Sequence, residues 1–114
     1  MKLSFDVDVW GFSVDFYSDV KEANNDTGLN LSEISTFTYD DSSKVLIVID
    51  GCNAGTPTNE NLRYIVHESN HAAMRILDRV GVVFDCKNQE ALCYTQDFIF
   101  SKILHELTMS ITQK

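Results

Sequence analysis

At 114 residues, 44% of them hydrophobic and 11% aromatic, the chain suits one domain spanning residues 1–114, with a real core and no disordered tail. A net charge of −8 and a pI near 4.6 repel phosphate backbones and argue against direct nucleic-acid binding. No segment approaches the roughly 18 apolar residues of a membrane span, and Cys52, Cys86 and Cys93, odd in number and without a CxxC pair, indicate a reduced, cytoplasmic chain rather than a disulfide framework.

The N-terminal segment MKLSFDVDVW alternates apolar and acidic residues and lacks the basic region and apolar run of a signal peptide. Its Leu3, Phe5, Val7 and Val9 show the period of two expected of a half-buried strand. Phe12, Val14 and Phe16 repeat the pattern with opposite parity, so a hairpin or glycine bulge is predicted at Trp10-Gly11. KEANNDTGLN reads as a polar loop, and a third strand runs through Ile34, Phe37 and Tyr39. DDSSK is turn chemistry, followed by a fourth strand, VLIVID. The second half reads as helices. Pro57 suits a first helical turn with Thr56 before it, and Thr58 or Asn59 suits a start slightly later. The helix is expected to run to Val80 and stop at Gly81. VVFDCK is an extended link, and Asn88 is a candidate cap for a last helix from about Gln89 towards Met109. The fold class is therefore α+β, with an antiparallel sheet of about four strands followed by two helices.

The first long helix contains RYIVHESNHAAMRIL. On a helical wheel Leu62, Ile65, Val66, Ala73, Ile76, Leu77 and Val80 form an apolar stripe, with His67, His71, Met74 and Asp78 opposite. Histidines four apart share one helix face and can take two corners of a zinc tetrahedron. Glu68, beside the first, is turned from the metal axis and suits a general base acting on a zinc-activated water. A catalytic zinc needs a third protein ligand and an open position. Glu90, in NQEALCY, is the preferred candidate over Asp85, Asp97 and the distant His105. A carboxylate at a helix start is also favourable by itself, through the helix dipole. Asp78 is either a carboxylate that orients a ligand histidine or a solvated one. Tyr94, one turn past Glu90, is a candidate oxyanion donor or a core tyrosine. Ser69 faces the core and needs a hydroxyl partner, for which the Ile65 carbonyl is placed. Cys93 is expected in the core with Phe100, Ile103, Leu104 and Leu107, and Trp10 is expected to pack.

With these residues in view, the chain resembles the glutamate-ligand (gluzincin) type of zincin metallopeptidase. More narrowly, it is similar to the small zinc metallopeptidases of tailed bacteriophages. The resemblance rests on VDVWGFSVDFYSD, SKVLIVID, IVHESNHAAMRILDRVGV and NQEALCY, and covers most of the chain. It implies a minimal zincin-like fold, zinc held by His67, His71 and Glu90 with Glu68 as base, and a peptide or protein substrate in the host cytoplasm. It also implies that VLIVID is the edge strand above the cleft, with CNAG lining the same groove. The second domain of larger gluzincins, which supplies a histidine for the oxyanion, has no room here. The alternative is a non-catalytic, zinc-stabilised acidic module that binds or inhibits a host or virion protein.

Overall fold

The computed structural model describes residues 1–112, with side chains through Ser110. Strand β1 (Lys2–Val7) pairs antiparallel with β2 (Phe12–Tyr17). Between them Asp8–Trp10 form a 3-10 turn, closed by the Gly11 N–H donating to the Asp8 carbonyl at 3.1 Å. Gly11 has φ 69°, a left-handed conformation costly for any residue with a Cβ. Val9, expected at the end of β1, is instead lifted into this turn and is 78% exposed.

The segment after β2 is not a loop throughout. Val20–Thr27 form a short helix, α1, whose N-terminus is capped by Asp19 Oδ1, accepting from the Lys21 and Glu22 N–H groups. It ends at Gly28 in the left-handed conformation. Strand β3 (Ile34–Thr38) then pairs antiparallel with β4 (Lys44–Ile49). The sheet order is β1-β2-β4-β3, and β2 and β4 are parallel. The sheet is thus mixed rather than wholly antiparallel. The chain passes from β2 through α1 to the far edge, then turns back to insert β4 beside β2. The run Val45–Ile49 fits that position: all five residues are buried, as a strand covered on both faces requires. Val45, Ile47 and Ile49 join the main core, while Leu46 and Val48 pack with Tyr17 and Ala23 under α1.

Helix α2 (Asn59–Val80) starts at Thr58, whose Oγ1 accepts from the Asn61 N–H at 3.1 Å. It ends at Gly81, φ 80°, where the Gly81 and Val82 N–H groups close on the last carbonyls. Asp85–Asn88 form a tight turn, with Asp85 Oδ1 accepting from the Lys87 and Asn88 N–H groups. Asn88 is therefore spent on this turn. The Gln89 carbonyl accepts the first bond of helix α3 (Glu90–Thr112), from the Cys93 N–H. Both helices lie on one face of the sheet. Ile65, Ala72, Ala73 and Ile76 of α2 and Ile99, Ile103 and Leu107 of α3 meet Phe5, Val14, Phe16 and Ile47 in one core. Trp10 packs against it, its indole N–H donating to Thr95 Oγ1 at 2.8 Å. Cys93 is exposed rather than buried, because the α3 seam follows Thr95, Ile99, Ile103 and Leu107 at steps of four. Among the described residues no helix is long and apolar enough to cross a membrane.

Candidate metal centre

The inner face of α2 is set by Ile65, Glu68, Ser69, Ala72, Ala73, Ile76 and Leu77, all buried. Val66 and Val80, expected in the apolar stripe, are 43% and 38% exposed. Residues 68 and 69 take the place in the core-facing surface that an apolar pair would normally fill. On the outer face His67 and His71, one turn apart, bring their Nε2 atoms to 3.1 Å, with ring planes at 76°.

Glu68 is the buried member of the group, 4% exposed. A carboxylate in such a position needs a donor, since a buried unpartnered charge is costly. Strand β3 supplies it: Thr36 Oγ1 donates to Glu68 Oε1 at 2.8 Å. The other oxygen, Oε2, lies 3.8 Å from His67 Nε2. The two carboxylate oxygens thus have different surroundings, one pinned to the sheet and one turned to the histidines. Ligand atoms of His67, Glu68 and His71 all lie within 4.8 Å of one another, and this group could hold a metal ion.

Glu90, exposed at the first position of α3, does not join that group. Its offset follows from the helix pairing. Asn70 Nδ2 donates to Gln96 Oε1 at 2.9 Å, so residues 70 and 96 are level. Glu90, six residues earlier on an antiparallel helix, lies about 9 Å further along α2, beyond His71. Asp78 makes no hydrogen bond to either histidine and shares a polar hollow with Thr38, Asp40, Arg75 and Arg79. Asp97 and His105 are exposed and outside the group, and Asp85 is used in its turn. Tyr94 is 68% exposed and lines an apolar groove with Val7, Val9, Trp10 and Phe98, beside β1. Ser69 is fully buried, and its Oγ has no partner, so the expected bond to the Ile65 carbonyl is not made.

The edge above the group is β3, not β4. β4 lies inside the sheet, between β2 and β3, because its double-faced apolar run must be covered on both sides. The residue that sequence reasoning missed is Thr36. Its signal was alternation: Phe37 and Tyr39 pack towards α1, so Thr36 and Thr38 must face α2. Of these two hydroxyls only Thr36 makes a polar contact with the helix, to Glu68, and Thr38 Oγ1 has no partner.

Arg79 ties this edge to the helix, donating to the carbonyls of Tyr39, Asp40 and Ser42. A scan against family models, a search of curated proteins and a search of solved structures each found no match to the chain.

Proposed function

We propose that the protein is a zinc-dependent peptidase in which His67 and His71 hold the ion and Glu68 is the general base. The observation that carries this reading is the spacing of the two imidazoles. Two imidazole nitrogens on one tetrahedral zinc, each at about 2.0–2.1 Å, are about 3.3 Å apart. His67 and His71 bring theirs to 3.1 Å with no rearrangement of the helix. When bound, zinc supplies Lewis-acid polarisation of a carbonyl and lowers the pKa of a water.

The chain's own residues supply the rest. Thr36 holds Glu68 Oε1, which fixes the carboxylate and leaves Oε2 turned to the histidines. That oxygen takes a proton from the attacking water and returns it to the leaving amine. The free edge of β3 offers backbone groups to an extended peptide, which would pair with it as an added strand. Glu90 enters the proposal as the third ligand on the resemblance to gluzincins alone, since its place at the head of α3 sets it apart from the histidine group. Tyr94 has no part in it, because its ring lies in the groove beside Trp10.

The test is Glu68→Gln. The variant is expected to keep its zinc and lose all hydrolysis of peptides that the wild type cleaves. A variant that retained the activity would remove Glu68 from the mechanism.

A second reading has its own observation. The apolar groove of Val9, Trp10, Tyr94 and Phe98, on a chain of net charge −8, suits a zinc-stapled module that binds a protein. In that case Glu68→Gln and wild type would be equally inert towards every peptide.

A further inference from the structure

Strand β1 is the second edge of the sheet, opposite β3. It pairs with β2 alone, so the outward N–H and C=O groups of Lys2–Val7 have no backbone partner among the described residues. Side chains alternate along it. Leu3, Phe5 and Val7 face the helices, while Lys2, Ser4 and Asp6 are exposed on the other face. A regular edge of six residues is a template for a further strand.

Helix α3 overhangs this edge. Gln96 meets Asn70 of α2, and Tyr94 and Phe98 stand two residues either side of Gln96. At about 100° per residue both are turned about 160° from it, to the side of α3 away from α2. Trp10 bonds Thr95, and the Phe98 ring lies 6.5 Å from that of Phe5. β1 and its turn therefore run alongside α3 in the opposite direction, with the apolar groove of Val7, Val9, Tyr94 and Phe98 between them. Val9, Tyr94 and Phe98 leave much of their surface to solvent.

The mouth of the groove is acidic. Asp8 lines it, Asp6 lies beneath on the open face of β1, and Glu90 and Asp97 flank Tyr94 on its solvent side. All four are exposed, and none enters an ion pair among the described residues. The two lysines along the edge do not offset them. Lys2, at the far end of β1, is directed to Asp15 at 3.8 Å, and Lys102 lies one turn beyond Phe98, away from Asp8.

We propose that the β1 edge binds an extended, basic segment of another protein as an added strand. Alternate side chains of that segment are apolar and enter the groove against Val7, Phe98 and Tyr94. The intervening ones are lysine or arginine and lie on the open face beside Asp6, and a basic residue at the end of the groove reaches Asp8. The alternation follows from the strand's period of two, and the basic charge from the unpaired carboxylates. A helix seated in the groove would leave the backbone groups of β1 unmet. The groove lies on the side of α3 away from α2, so the proposal does not depend on the metal centre or on hydrolysis.

The test uses the full wild-type chain and a labelled heptapeptide, Lys-Val-Lys-Leu-Lys-Val-Lys, followed by fluorescence anisotropy. It is compared with the same residues in block order and with glutamate in place of lysine. The alternating basic peptide is expected to bind at least tenfold more tightly than either. N-methylation of alternate residues tests the pairing, because only every second residue turns its N–H towards β1. Methylating one set should abolish binding, and methylating the other should change it threefold or less. Tyr94→Ala and Asp8→Asn should each weaken binding at least fivefold, whereas Glu33→Gln, at the opposite corner of the sheet, should leave it unchanged. Absence of binding, equal binding of the alternating and block peptides, or equal loss with either methylated set would overturn the proposal. So would intact affinity in both Tyr94→Ala and Asp8→Asn, which would place the peptide elsewhere, as on β3. A loss in Glu33→Gln as large as that in Asp8→Asn would reduce the binding to general charge attraction and overturn it as well.

Discussion

The contact between Thr36 and Glu68 joins the sheet edge to the candidate metal centre, and Thr36→Val probes it with almost no change in volume. The wild-type hydroxyl donates to Glu68 Oε1 at 2.8 Å, and the acceptor belongs to a residue only 4% exposed. Val cannot donate, and water has little access to replace it. Leaving a buried polar group without its partner costs about 1–3 kcal/mol, towards the upper end for a charged one. For a domain of this size, each kcal/mol lowers Tm by about 4–8 °C, so a fall of about 5–20 °C is expected. Thr36→Ser keeps the donor and should recover most of the loss, which separates the hydrogen bond from packing of the methyl group. Urea unfolding of the three proteins, with Glu68→Gln added to complete a double-mutant cycle, measures the coupling directly. If Thr36→Val unfolded within about 0.3 kcal/mol of the wild type, the strand would not be holding the carboxylate, and the division of labour between its two oxygens would fail with it.

Two further predictions follow from the packing. Burial pushes the Cys52 thiol from its ordinary 9.0 up to about 11. Between these values the unfolded chain gives up a proton that the fold retains, so the unfolded state binds fewer protons and stability falls as pH rises from about 9 to 11. Tyr17, raised chiefly by burial and then by its hydrogen bond to Asp26, acts in the same direction at higher pH. Urea midpoints across this range should fall less steeply for Cys52→Ala, and an unchanged slope would remove Cys52 as a cause. Arg79→Gln should loosen the β3–β4 turn, visible as faster amide exchange through residues 38–43 with the core of β4 unchanged. Unaltered exchange would show that the three carbonyl contacts do not hold that edge.

The centre of the site was legible because its information is local. The histidine spacing, the exposed outer face and the stops at Thr58 and Gly81 lie within one helix, where periodicity and capping residues speak directly. The parts that were not legible depend on partners distant in sequence. α1 carries VKEANNDT, poor in apolar residues, and is held by Asp19 and by Ala23 under the sheet. The parallel pairing of β2 with β4 is a matter of strand order, which no local pattern specifies, although the unbroken run Val45–Ile49 marked a strand covered on both faces. The exposed Cys93 and the placement of Tyr94 turned on which side of α3 meets the sheet, whereas Ser69 was expected on the core side of α2 and is buried there. On α3, apolar residues such as Phe98, Phe100, Leu104 and Met109 lie all around the axis, so its wheel alone could not decide. Thr36 needed the pairing of β3 beneath α2 to be known before its hydroxyl had a meaning.

The central claim, that His67 and His71 hold a zinc ion, is tested most directly by metal content and competition titration on purified wild type, His67→Ala, His71→Ala and Glu90→Ala. About one zinc per chain is expected in the wild type, with binding abolished in either histidine variant and weakened in Glu90→Ala. A wild-type chain that takes up no zinc, or histidine variants that bind it as tightly as the wild type, would contradict the account.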